Sequence, residues 1–306
     1  MTIPSLLTDY RKYENMEKDP TSDYVDLSNI PFVAPASFLP TYNFARSNSI
    51  TKYKCHDNAI EHISKILGIS EGNDNLIPMV PINIGKYGEA NRYKVLNHLE
   101  SKIRKLLFPN DIKGHEEYGG VDTFPYIVGE ILSNVGQHSE ATNVYSYSQI
   151  YPNEGYVDVG IFDDGITIPG KYEQSKHEFE DSEINPYEFK NDCDAIYRSL
   201  NGISTKEGFK RSMGGLTSED DVLTKNDNIG YGINTSTRMI YDGLGGSFLI
   251  VSREGICHLT PDKKKFIKAK DDNIIDGTLI CIRFKRAKLT HDEFDEYTRN
   301  HIPIVL

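Results

Sequence analysis

Three short clusters in the sequence carry residue types that can do chemistry together. The first, EILSNVGQH, sets Glu130, Asn134 and His138 at intervals of four. On a helix each such step turns about 40°, so the three side chains line one narrow face. A carboxylate and an amide oxygen one turn apart can position a water and a magnesium ion together, because Mg²⁺ takes hard oxygen ligands and keeps several waters. Glu130 could then orient or deprotonate a nucleophile. The second cluster, IFDDGITIPG, ends an apolar strand in Asp163, Asp164 and Gly165, where backbone without a side chain can approach a ligand. A buried Asp163 would accept a hydrogen bond from the exocyclic amine of a base such as adenine. The third, NIGYGINTS, sets Gly230 and Gly232 just before a helix, leaving the backbone N–H groups of its first turn open to phosphate. Each cluster also has a plainer reading: the solvated face of an amphipathic helix, an Asp-Gly turn, and a glycine hinge.

The elements that must hold these clusters follow from periodicity. Ile127, Ile131, Leu132 and Val135 form an apolar stripe on a helix expected over about 122–139, mostly off the polar face. Two alternating strands, TNVYSYSQI and GYVDVGIF, follow across the turn-like YPNEG. The polar stretch 171–229 is too long for a structureless loop inside a compact domain unless it is a functional lid or holds its own helix, and DAIYRSL within it reads as helical. YGINTSTRMIYDG is expected to be a helix stopped by Gly243, with strands at 246–252 and 277–285 closing the order. Upstream, residues 1–24 read as an irregular lead-in and VDLSNIPFVAPASFL as a buried strand broken by prolines. A helix at about 56–67, a strand LIPMVPINI and a helix at 89–107 come next. The charged, Gly-rich DIKGHEEYGG after Pro109 looks like a linker, so a boundary is expected at 110–120. It would separate a small α/β domain, 25–115, from a larger one, 120–287, with a tail at 288–306.

Composition narrows the function. The 306 residues include 34 Lys+Arg against 45 Asp+Glu, a net charge of -11. That balance gives no support to nucleic-acid binding through a broad basic face, or to a polybasic membrane anchor. No apolar run approaches the roughly 20 residues that span a bilayer, and MTIPSLLTDYRKYENMEKD is not a signal peptide, so the chain reads as cytoplasmic. Cys55, Cys193, Cys257 and Cys281 show no CxxC pairing or metal-ligand spacing and read as reduced thiols, and the nine histidines contain no HExxH. The segment GYGINT lacks the third glycine of a dinucleotide fingerprint, and GISTKEGFK has Glu207 where a Walker loop needs Gly.

Taken in order, the clusters resemble the GHKL superfamily of ATP-binding domains, which includes gyrase, ninety-kilodalton heat-shock chaperones, sensor histidine kinases and mismatch-repair ATPases. The matching positions are Glu130 and Asn134 on the first helix, Asp163 and Gly165 after the strand, and then a variable lid. Gly230 and Gly232 open the next helix, Gly245 and Gly246 precede a strand, and Gly277 and Thr278 begin the last one. The resemblance covers roughly 120–287 and implies an α+β sandwich, helices against a mixed, largely antiparallel sheet, with ATP between helix, sheet edge and lid. It implies that Asn134 holds Mg²⁺, that Asp163 and Thr278 serve the adenine, and that Gly230 and Gly232 approach the phosphates, with His138, Gly165, Thr167, Tyr231 and Ile233 also in the site. Thr167 stands where the family usually has a second glycine.

Glu130 resembles the general base of the hydrolysing members and of the serine kinases that act as anti-sigma factors. The phosphoacceptor hairpin of histidine kinases is missing, and His98 reads as a surface helix residue. A stabilising cation would come from the lid, with Lys206 the candidate and Lys210 and Arg211 nearby. Residues 25–115 faintly resemble a STAS domain; the alternative is an α/β extension that packs on the ATP-binding domain or on a partner. The leading expectation is an ATP–Mg²⁺ module that couples binding or slow hydrolysis to lid closure and to a protein partner or homodimer. The alternatives are a serine/threonine kinase and a non-hydrolysing, nucleotide-gated binder.

Overall fold

The computed structural model describes residues 4–69, 76–87, 89–108, 110–111, 113–176, 185–203, 232–270, 273–300 and 302–305. Its centre is a seven-stranded sheet of β3 (Leu76–Asn83), β4 (Asn143–Tyr151), β5 (Tyr156–Asp163), β6 (Ser247–Arg253), β7 (Gly255–Thr260), β8 (Lys263–Lys268) and β9 (Ile275–Lys285), in the order β3-β4-β5-β9-β6-β7-β8. Every pairing in it is antiparallel. The alternation in β4 sorts side chains between two faces, Val144, Ser146 and Ile150 to one, Tyr145 and Tyr147 to the other. Both faces are covered, so burial is continuous along β4 and β5.

One face carries α4 (Glu89–Leu107), α5 (Thr123–His138), α7 (Asp192–Leu200) and α8 (Gly232–Arg238), the last running on as a π turn, Met239–Gly243. Leu99, Ile103, Ile127, Ile131, Leu132 and Val135 pack there against Val144, Val159, Ile161, Ile250 and Ile282. The anticipated stripe of α5 is thus the contact face. The short α6 (Ile168–Lys176) follows β5, and α9 (His291–Arg299) begins at a Thr290/Glu293 capping box. The result is the expected α+β sandwich of helices on a sheet.

The N-terminal residues differ from expectation. They form α1 (Leu6–Glu14), β1 (Tyr24–Leu27), α2 (Pro35–Ser47), β2 (Lys52–Cys55) and α3 (Asp57–Ile66), with β1 and β2 paired in parallel. The irregular lead-in is therefore a helix, capped by Ser5 and burying Leu6, Tyr10 and Tyr13. The proline-broken strand is a four-residue strand followed by a helix, with Pro35 in the first turn, where its missing N–H costs no helical bond. Asp9 of α1, itself buried, accepts the Ser37 backbone N–H (2.9 Å) near the start of α2. These elements cover the second face of the sheet as a third layer, with Leu27, Phe38, Leu39 and Ile63 against Tyr147, Phe162, Val251 and Leu279.

Among the described residues no break at 110–120 divides this arrangement. β3 pairs with β4, α4 packs beside α5, and the stretch read as a linker holds a 3-10 turn, Gly114–Glu117. Gly119 then donates to Ala287 O (2.7 Å) and accepts from Leu289 N (2.9 Å), tying the segment to the end of β9. β7 and β8 were not anticipated, because GICHLTPDKKKFIK has too few apolar residues in alternation to signal two strands. The tail at 288–306 contains α9.

Candidate functional site

Register in the central strands assembles the core of the site. Asp163 on β5 lies directly opposite Thr278 on β9, and Thr278 directly opposite Ser252 on β6. Directly opposed residues project to the same side of a sheet, so the three polar groups form one cross-strand row. That row faces the C-terminal half of α5, where Asn134 and His138 sit. Ser252 Oγ and Thr278 Oγ1 are 3.0 Å apart, and Ser252 Oγ also accepts Ile168 N (2.9 Å).

The two adjacent acids divide their roles. Asp164 accepts Thr142 N (2.8 Å), Asn143 N (2.7 Å) and Asn143 Nδ2 (2.5 Å), closing the start of β4 onto the end of β5. Asp163 is 3% exposed and accepts Gly165 N (3.1 Å). Burial pushes its carboxyl up to about 7, the negative charge of Asp164 adding to the rise while Gly165 N–H and Ser139 oppose it. Among the described residues no cation pairs with it.

Close approach explains the glycines. A Cβ on Gly165 would lie 2.0 Å from Ser139 O, because the loop after β5 folds against the end of α5, where Ile166 N donates to Ser139 O (2.7 Å). Thr167 has φ +73°, the left-handed conformation that glycine adopts freely. The turn thus keeps its glycine-like backbone and carries a β-branched residue there at a cost of about 1–2 kcal/mol. Thr167 Oγ1 offsets part of this by accepting Gly170 N (3.1 Å) in the first turn of α6.

Asn134, His138, Asp163, Thr167, Ile233 and Thr278 line one cleft, with Ile131, Val135 and Ile280 supplying apolar wall. Its volume of about 110 Å³ is below the roughly 300–1,000 Å³ of pockets that enclose a whole small molecule, so these walls accommodate part of a ligand. Asn134 Nδ2 is buried without a hydrogen-bond partner among the described residues, a polar atom left for a ligand or water. Glu130 lies one turn from Asn134, against the first residue of α8: a Cβ on Gly232 would sit 1.8 Å from Glu130 Oε2. Gly230, Tyr231 and Lys206, with Lys210 and Arg211, lie outside the described residues, as does most of the stretch read as a lid.

Several contributors escaped the sequence reading. Lys171 reaches the cleft from α6 and pairs with Glu140 (2.7 Å), and Tyr172 beside it donates its hydroxyl to Ile203 O. Ser252 has no local signal, since only strand register brings it to Thr278. Among the described residues no group of three or more His, Cys, Asp or Glu could hold a metal ion, and no helix is long and apolar enough to cross a membrane. All four cysteines are free. Comparison with family models, curated proteins and solved structures finds no match to this chain.

Proposed function

We propose that the chain is an ATP–Mg²⁺-binding module of the GHKL type, with Glu130 as the general base of a slow hydrolysis. One observation carries the reading. Six positions expected to bind nucleotide on motif order alone converge on a single cleft around a buried carboxylate that has no cationic partner among the described residues. A buried carboxylate costs stability unless donors or a cation offset its burial, and Gly165 N–H and Ser139 offset that of Asp163 only in part. An exocyclic amine, with an aromatic ring lying between Ile131, Val135, Ile233 and Ile280, meets both the polar and the apolar demand of that cleft.

The donor set also suits the cation. Mg²⁺ takes most of its ligands from water and phosphate, so one protein oxygen, the Asn134 amide turned to present Oδ1, fits its habit. Bound there, the ion would neutralise phosphate charge. Glu130, against the start of α8, is one helical turn from Asn134 and would accept the proton of an attacking water. Nucleotide occupancy would then be communicated to a protein partner or a second copy of the chain.

Thermal unfolding with and without ATP–Mg²⁺ tests binding, with stabilisation of about 2.7 kcal/mol expected at one hundred times Kd. D163N should bind at least tenfold more weakly, while E130Q should keep binding and lose release of labelled phosphate. Stabilisation by neither ATP nor ADP would end the nucleotide reading. Label on a serine or threonine of a partner protein, with no free phosphate, would replace hydrolysis by phosphotransfer.

A further inference from the structure

The wall formed by α7 and α8 also holds residues 302–305 and Asn300 of the chain itself. Ile304 N donates to Asn201 Oδ1 (2.6 Å) and Asn201 Nδ2 donates to Ile304 O (3.4 Å), so one amide side chain holds both backbone groups of a single residue. Asn234 Nδ2 donates to Ile302 O (3.4 Å) and to Leu200 O (2.7 Å), joining the segment to both helices. Arg238 Nη1 reaches Asn300 O (2.9 Å) and Lys264 Nζ reaches Val305 O (2.7 Å). Apart from the bond to Leu200, these bonds join a side chain of Asn201, Asn234, Arg238 or Lys264 to backbone of the segment, the way proteins read peptides, and specificity is left to an anchor side chain. Ile304 is that anchor: it is 0% exposed, while Ile302 and Val305 beside it are 53% and 69% exposed.

The segment and the ligand cleft share the α7–α8 wall. Ser199, Ile203 and Ile233 face the cleft, while Asn201 and Asn234, interleaved with them in sequence, hold the segment. We infer that residues 302–305, with Asn300, act as a strap whose docking sets the position of the α7–α8 wall, and that strap docking and ligand binding in the cleft are thermodynamically coupled. The inference rests on the nucleotide reading of that cleft. Held by one buried side chain and a few side-chain hydrogen bonds, and paired with no strand of the sheet, the strap can open without unfolding the sheet. Coupling must run both ways: whatever the docked strap does for the ligand, the ligand does equally for the strap.

The test uses the full chain. ATP–Mg²⁺ affinity is measured for wild type, I304A and the conservative I304V, with circular dichroism reporting the fold. I304A should bind ATP about 5- to 150-fold more weakly, the usual range of coupling between sites, and I304V should stay near wild type. On wild type alone, saturating ATP–Mg²⁺ should slow hydrogen exchange at the Ile304 amide, which needs no variant to fold. Equal affinity in I304A and wild type, or exchange at Ile304 unaffected by bound ATP, overturns the strap while leaving the nucleotide reading intact. No ATP effect on wild type removes both.

Discussion

At the scale of the residue, the informative pair is Asp163 and Asp164, adjacent in sequence and opposite in use. Asp164 is consumed by three hydrogen bonds that close a strand end, whereas Asp163 is buried facing the cleft with its carboxyl pushed up to about 7. A folded value above the ordinary 3.8 means the folded state holds the proton more tightly than the unfolded chain. The stability this gives is complete below about pH 4 and is lost as pH rises through 7. Wild type should therefore lose stability relative to D163N between pH 4 and 8, by about 2–4 kcal/mol at roughly 1.4 kcal/mol per unit, measurable by urea unfolding at each pH. An amine donor bonds more strongly to the ionised carboxylate than to the neutral acid, so ATP affinity should move the other way. It should rise from pH 6 to 8 by up to about tenfold, the ratio of ionised fractions for a group titrating near 7. The weaker binding of D163N, followed over the same range, supplies the reference for the nucleotide's own ionisation; an equal rise in both proteins would detach the effect from Asp163.

At the scale of the element, helix–sheet contact is set by glycine on the side away from the cleft. A Cβ on Gly160 of β5 would stand 2.6 Å from Pro35 Cβ and 2.7 Å from Leu39 Cδ1, both on α2. That helix lies on the strand because nothing projects between them, and Asp9 fixes its first turn. G160A should pry α2 outward and cost about 1–3 kcal/mol in urea unfolding, the usual cost of overpacking a tight contact. ATP binding should survive where the protein is folded, since the cleft lies on the opposite face. Loss of binding without loss of stability would show that the two faces are coupled through β5.

At the scale of the whole molecule, the third layer makes the N-terminal residues part of one sheet-centred body. Under it lies a buried ion pair: Arg283 Nε and Nη2 donate to Asp158 Oδ1 and Oδ2 at 2.7 and 2.6 Å, across the register of β5 and β9. Arg283 Nη1 also donates to Pro4 O (2.9 Å), so the same guanidinium ties the chain's first described residues to its last strand. Removing it in R283L leaves Asp158 buried and unpaired, and should cost about 3–5 kcal/mol. The double variant D158L/R283L should recover most of that loss in chemical denaturation, because similar-sized apolar residues avoid the desolvation of both charges. A double variant as unstable as R283L would mean that the tie to Pro4 matters more than the charge left behind.

How much was legible follows from the range of the interactions. The α5 stripe, β4, β5 and the glycines at 165 and 232 were readable because periodicity and tight turns are local: a few neighbouring residues fix them. Helix α1 and strands β7 and β8 were not, since an amphipathic tyrosine-rich helix and a lysine-rich edge strand draw their stability from partners elsewhere in the chain. The sequence alone also brought Glu130 and Asn134 onto one face and put Asp163 at a strand end. Only the tertiary structure decided that Asp163, Thr278 and Ser252 stand in one row, that Asp164 is spent on structure, and that a third layer closes the sheet. Strand register and burial are properties of residues far apart in the chain, and burial is what turns an ordinary aspartate into one that titrates near neutrality.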